Sequence, residues 1–326
     1  MTWPISMDDV VAAARRLDPF LEPTPLRHYT ALDEAVGCRV LVKHENHQPT
    51  NSFKARNGLA VLTALDPEER ARGVVAATRG NHGLGLAHAG KMLDVAVTIC
   101  VPEGNNPEKN AAMEALGAEL VVEGRDYDVA VGVMERLVRQ RGLRMVHSTN
   151  EPLVLAGAGT ITLELMGQAA AMDERLDAVV MAVGGGSQAV GAATVLRHLD
   201  ADVALYGAQA AAAPAIHDSW HAGEPLERNS ADTFADGVAT RMTYEVTFEP
   251  LCQGLADMVL VSEADIASAL RLYLRATHNL AEGAGSVGLA GLRKLGSRLK
   301  GKTVAVVLSG SNIDQQTLRR VVCGEI

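Results

Sequence analysis

Short apolar runs alternate with amphipathic stretches along the whole of this sequence, and no other feature constrains its fold as strongly. The runs include Arg39-Val-Leu-Val-Lys43, Gly73-Val-Val-Ala-Ala77, Val95-Ala-Val-Thr-Ile-Cys-Val101, Ala178-Val-Val-Met-Ala-Val183, Val203-Ala-Leu-Tyr206 and Val304-Ala-Val-Val-Leu308. Continuous apolar runs of this kind read as strands buried on both faces. Between them lie stretches with helical spacing, among them Met7–Leu17, Pro107–Leu116, Tyr127–Arg141 and Glu263–Ala276. Strand–helix alternation predicts an α/β fold of doubly wound, open parallel sheets joined by right-handed crossovers. A length of 326 residues suits about two such domains. Aromatic residues make up 3% of a chain that is 48% hydrophobic, so Val, Leu, Ala and Met must fill the core.

Charge and composition narrow the function. The net charge is −9 and no run of Lys or Arg occurs, which argues against nucleic acid or an anionic membrane as partner. The apolar runs fall short of the roughly 20 residues of a membrane span. The first residues lack a basic-then-apolar targeting pattern. Cys38, Cys100, Cys252 and Cys323 are scattered without a Cys-x-x-Cys pair, which points to reduced thiols in a cytoplasmic protein. The ten histidines show no metal-ligand spacing.

Polar loops at the ends of these runs carry the chemistry. In Gln48-Pro-Thr-Asn-Ser-Phe-Lys54-Ala-Arg56, one lysine follows a turn-prone segment and precedes an apolar run. It can be held at a helix start and aimed inward, as an amine that attacks carbonyls must be. After the run at Asp177 comes Gly184-Gly185-Gly186-Ser187, then an apolar helix. Consecutive glycines let backbone N–H groups approach a ligand, and the helix start adds positive potential, so the loop reads as a phosphate cradle. The spacing is neither Gly-x-Gly-x-x-Gly nor Gly-Lys-Ser/Thr, which argues against a dinucleotide fingerprint and a P-loop. Thr78-Arg79-Gly80-Asn81-His82-Gly83 and Ser309-Gly310-Ser311-Asn312 are further polar loops after strand-like runs, where α/β proteins gather ligand contacts.

Taken in this order, these segments resemble the fold-type II pyridoxal-phosphate enzymes, specifically the serine/threonine dehydratase and serine racemase branch. Glu22-Pro-Thr-Pro-Leu26, Val101-Pro-Glu-Gly-Asn-Asn-Pro107-Glu-Lys109, Gly117–Val122, His147, Glu151-Pro-Leu, Ala156–Thr160, Phe234–Ala239 and Glu282–Gly288 extend the resemblance over nearly the whole chain. It implies a large domain of residues 1–47 plus 151–326, a smaller domain of 48–150 inserted in it, and pyridoxal 5'-phosphate in the cleft between them. Lys54 is then the catalytic residue, holding the cofactor and moving the substrate Cα proton. Phe53 packs on the ring, and Gly184, Gly185, Gly186 and Ser187 hold the phosphate. Asn81 reaches the ring hydroxyl, Gly237 leaves room beside the ring, Glu282 belongs to the cofactor's surroundings, and Ser309 faces the ring nitrogen. Ser52, Thr78, Arg79, Gly80 and His82 fall at the substrate, with backbone N–H groups of the Thr78–His82 loop receiving its carboxylate.

The implied reaction is β-elimination from a β-hydroxy amino acid such as threonine, serine or 3-hydroxyaspartate, giving a 2-oxo acid and ammonia. A lyase for a bulkier substrate such as phenylserine, a β-replacement synthase of the cysteine-synthase type, and a phosphate-binding regulator are the competing readings. The family also implies a homodimer. The chain ends soon after Ser309, so a C-terminal regulatory domain is not expected and a catabolic role is.

Some positions depart from the family pattern. Arg79 stands where a small residue is usual. It either binds an extra anionic group on the substrate or pairs with a nearby acid. His47 replaces an apolar residue and either touches the substrate or is hydrogen-bonded structure. Asn51 replaces a glycine and can adopt the same left-handed backbone. Gln209 replaces a glutamate of the metal-activated relatives, and Ala210–Ala213 replace its partner, so no metal site is expected.

Overall fold

The computed structural model describes residues 3–125 and 127–326. Its strands, in chain order, are β1 (Leu26–His28), β2 (Arg39–His44), β3 (Val74–Ala77), β4 (Val97–Val101), β5 (Glu119–Val122), β6 (Arg144–Met145), β7 (Ala178–Ala182), β8 (Ala204–Ala210), β9 (Asp257–Val261) and β10 (Thr303–Leu308). They form two open sheets, one in the order β1-β2-β10-β7-β8-β9 and one in the order β5-β4-β3-β6. All pairings are parallel except β1 with β2. The α/β class and each apolar run predicted as a strand are therefore present, and the four-stranded sheet is drawn wholly from residues 74–145.

The predicted helices form at Met7–Leu17, Pro107–Ala115, Tyr127–Arg141 and Glu263–Thr277. Ser6 with Asp9, and Ser262 with Asp265, close reciprocal capping boxes at two of the starts. The helix Pro152–Ala171 departs from the expectation that apolar stretches stay short. By length and composition it could cross a membrane, but 61% of that stretch is buried inside the fold. Small residues make this possible: a Cβ at Gly157 would lie 2.7 Å from the Ala60 methyl, and one at Gly159 would lie 2.9 Å from a Val10 methyl. The helix is hydrophobic nearly all round because it is covered nearly all round.

The strand order positions the site. β10, last in sequence, lies between β2 and β7, so the loops leaving β2, β10 and β7 emerge side by side at one sheet edge. An open parallel sheet binds ligands at such a reversal of strand order. Those loops carry Lys54, Ser309 and the Gly184–Gly186 run, respectively. From the other sheet, the end of β3 delivers Thr78–His82.

Candidate active site

Lys54 opens the helix Lys54–Leu62 and is held from both sides. Upstream, Ser52 forms an isolated antiparallel bridge with Gly310, the Phe53 N–H donates to the Ser309 carbonyl at 3.0 Å, and the Ser311 N–H donates to the Asn51 carbonyl at 2.9 Å. Asn51 has φ +54°, the left-handed backbone expected of its residue type. Downstream, the buried Arg56 guanidinium grips the buried Glu45 carboxylate with two hydrogen bonds of 2.8 Å. Its Nη2 donates to Glu164 at 3.0 Å. A bidentate pair with no water around it fixes the helix start in orientation as well as position.

Lys54 faces a cleft of about 680 Å3. No carboxylate pairs with it among the described residues; its amine lies 4.6 Å from the Phe53 ring centroid. Burial alone lowers its pKa to about 8, because the charged form loses its hydration and gains no counter-ion. The free amine is the nucleophile, so apoprotein should capture an aldehyde about tenfold faster per pH unit until about pH 8 and then level off. Stopped-flow mixing with pyridoxal phosphate checks this; a rate still climbing at about pH 10, as for an ordinary lysine, would contradict it.

The glycine loop lines the same cleft. Gly186 has φ +99°, a conformation that disfavours side chains. A Cβ at Gly185 would collide with the Thr149 hydroxyl. No backbone N–H from Gly184 to Ser187 donates to another protein atom among the described residues. These donors meet the start of the helix Ser187–His198, making a cradle for a dianion.

The other wall combines both sheets. Asn81 Nδ2 donates to Glu282 Oε1 at 2.6 Å, and Asn81 Oδ1 accepts from Asn312 at 2.8 Å. The Glu282 pKa rises to about 7. Burial is the main cause, with the Asp236 charge adding to it, while Lys109 and the Asn81 bond oppose. Lys109 lies against Gly80 and reaches Asp236 across the cleft at 2.5 Å. His82 is buried with Nε2 against the Val146 carbonyl at 3.1 Å and Nδ1 without a partner. Burial first, and then the nearby Lys54 charge, hold its pKa down at about 3, so His82 is neutral at physiological pH.

Phe53, Lys54, Thr78, Arg79, Gly80, Asn81, His82, Gly184, Gly185, Gly186, Ser187, Gly237, Glu282 and Ser309 all line this one cleft. Ser52 does not. It is fully buried beneath the bridge, with its hydroxyl unpartnered. Of the loop N–H groups expected to receive the substrate carboxylate, two are engaged within the protein. The Thr78 N–H is taken by the Cys100 carbonyl and the Gly80 N–H by the Thr78 hydroxyl, each at 3.0 Å. Within the same loop, the N–H groups of Asn81 and His82, which open the helix Asn81–Leu93, have no acceptor among the described residues. His47 lies away from the cleft wall, hydrogen-bonded to Asn279 at 2.7 Å and stacked on His44. Gln209 uses its carbonyl oxygen to accept the His217 N–H. Lys109, Asp236, Tyr127 and Tyr244 also line the cleft, without a role read for them in the sequence. Lys109 and Asp236 fall in segments that carry the resemblance, but their pairing across distant segments is not visible in either one.

A buried lysine facing a side-chain-free anion cradle, between two parallel sheets, defines an enzyme that holds a phosphorylated aldehyde. The residues fit pyridoxal phosphate: the orphaned N–H groups suit its phosphate and the depressed amine suits its aldehyde. The chain belongs to the family of pyridoxal-phosphate dependent enzymes, whose model matches residues 17–310. It is 35% identical over 319 residues to an L-threonine ammonia-lyase of Thermotoga maritima, covering 98% of this chain and 78% of the relative. It is 33% identical to an L-threo-3-hydroxyaspartate ammonia-lyase of Pseudomonas sp, covering 95% and 96%. Among solved structures, a threonine deaminase from T.th. superposes with a TM-score of 0.90 at 36% identity, covering 95% of this chain and 99% of that one.

Proposed function

We propose that this chain catalyses β-elimination from a β-hydroxy amino acid, as an ammonia-lyase of the threonine dehydratase type. The observation that carries the reading is Lys54, an amine lowered by burial to about 8 with no counter-ion among the described residues, lining one cleft with the glycine cradle and Ser309. The names and near-complete coverage of the relatives support the same activity.

Bound in the cleft, the cofactor supplies an electron-withdrawing ring that acidifies the substrate Cα–H. The protein does the rest. The free N–H groups of Gly184–Ser187 bind the phosphate and fix the ring's position. The first N–H groups of the Asn81–Leu93 helix receive the substrate carboxylate, which orients the Cα–H toward Lys54 Nζ. The neutral amine removes that proton, and a base near pH 8 suits the task. Ser309 offers a hydroxyl where a carboxylate would hold the ring nitrogen protonated, and this favours prompt loss of the β-hydroxyl over long-lived carbanion storage. Overall the Cα–H and Cβ–O bonds break and water leaves. The freed enamine tautomerises to an imine, water adds, and the C–N bond breaks to give a 2-oxo acid and ammonia, with no net redox change.

The reading includes residues 1–47 plus 151–326 as the large domain and 48–150 as the smaller one. The confinement of the small sheet to 74–145 supports this division. It also includes a homodimer, which rests on the family resemblance, and a cytoplasmic setting, which rests on the scattered, unpaired cysteines.

The test is to incubate holoenzyme with L-serine, L-threonine, 3-hydroxyaspartate and phenylserine and to measure 2-oxo acid and ammonia. One of each per substrate consumed, without added thiol, is expected. Product that appears only when a thiol is supplied would replace elimination with β-replacement.

A further inference from the structure

We propose that Arg79 is a specificity-determining residue that selects substrates with a second carboxylate on the β-carbon. The inference rests on the elimination reading above and names the substrate class within it. Arg79 is exposed and lines the Lys54 cleft, while its chain neighbours Thr78 and Gly80 are buried. The loop backbone is thus pinned and the guanidinium alone projects. No carboxylate pairs with it among the described residues.

The other charged groups on the cleft wall include Glu227 and Arg241, and several are bound to partners. Lys109 is bound to Asp236 at 2.5 Å, and Arg228 to Asp218 at 2.5 Å. Glu282 is held by Asn81. Arg79 brings to the cleft a cation that no carboxylate pairs with among the described residues, in a chain whose net charge is −9. A net-negative protein disfavours a substrate of net charge −1, such as an amino dicarboxylate, unless the site itself carries compensating charge. The neighbouring wall adds a donor: the Tyr127 phenol, raised to about 12 chiefly by burial despite its Ser148 hydrogen bond and the Arg79 charge, keeps its proton at physiological pH.

The α-carboxylate received at the start of the Asn81–Leu93 helix leaves the substituents of the β-carbon within reach of a long side chain two residues earlier. Serine and threonine offer it hydrogen and methyl. 3-Hydroxyaspartate offers a planar carboxylate that a guanidinium fork binds with two parallel hydrogen bonds.

The test compares wild type, R79A and R79K as holoenzymes. The ratio of kcat/KM for L-threo-3-hydroxyaspartate to that for L-threonine should fall roughly ten- to a hundredfold in R79A, the range for a hydrogen bond to a charged group. R79K should recover part of it. In parallel, succinate and propionate are titrated against the cofactor's visible absorption. R79A should weaken succinate by a similar factor relative to propionate. An unchanged ratio, or an equal loss on acidic and neutral ligands, overturns the proposal. Wild type that turns over threonine and ignores 3-hydroxyaspartate overturns it too, and leaves the elimination reading standing. If no hydroxy amino acid reacts, the elimination reading fails, and the succinate–propionate contrast still decides: sensitivity to R79A supports the anion subsite, and insensitivity removes it.

Discussion

Lys54→Ala is expected to give a folded protein that eliminates more slowly by at least the 10²–10⁴-fold that a positioned base supplies. Because Lys54 has no counter-ion among the described residues, truncating it strands no buried charge and breaks no ion pair. The Arg56–Glu45 grip and the Ser52–Gly310 bridge that shape the segment lie outside its side chain. The fold should therefore survive, which unchanged far-ultraviolet circular dichroism would show. Loss of covalently held cofactor should accompany the rate loss. Lys54→Arg is the sharper comparison, because it keeps a cation but cannot offer a free amine near neutrality. Either variant turning over substrate at a rate near wild type would mean that another group moves the proton.

Gly85→Ala is expected to destabilise the protein by about 1–3 kcal/mol or more and to cost activity out of proportion to that loss. The helices Lys54–Leu62 and Asn81–Leu93 cross at Gly58 and Gly85. A Cβ on Gly85 would fall on the Lys54 carbonyl, and one on Gly58 would fall on the Gly85 carbonyl. Backbone cannot step aside as a flexible side chain can, so the two helices must separate. The starts of these helices carry Lys54 and the substrate-carboxylate donors, and a displacement of about 1 Å between reacting groups can cost about a hundredfold in rate. Gly167→Ala is the control. Gly167 lies inside the helix Pro152–Ala171 with open space around its Cβ direction, and alanine there should stabilise by about 0.5–1 kcal/mol. Denaturant midpoints and kcat/KM on the two variants separate these outcomes. Gly85→Ala with normal midpoint and rate would show that the crossing does not set the site.

The parts of this molecule legible in its sequence are those where burial is continuous. β3, β4, β7 and β10 are covered on both faces, so their apolar runs show without a partner in view. β1 and β6, of three and two residues, are too short to show a period. β9, at the sheet edge, carries the apolar run Met258–Val261 but is only partly buried. The insertion of β10 between β2 and β7 is set by packing between segments far apart in sequence, and no local signal encodes it. The same holds within the site. Lys54, the glycine loop and Ser309 announce themselves by residue type at a strand end. The Lys109–Asp236 pair joins residues that meet only when the two sheets face each other. Ser52 sits next to Phe53 in sequence, yet the bridge to Gly310 turns it into the core. Within the Thr78–His82 loop, Thr78 spends its hydroxyl on the Gly80 N–H, a contact that no residue pattern marks.

The central claim is that Lys54, and no other lysine, holds the cofactor opposite the glycine cradle. Borohydride reduction of the holoenzyme, proteolysis and mass spectrometry of the peptides would test it most directly. The account predicts one reduced pyridoxyl group per chain, on the peptide that contains Phe53-Lys54-Ala55. A label on Lys43, Lys109 or any other lysine, or no label from a preparation that retains its visible absorption, would contradict it.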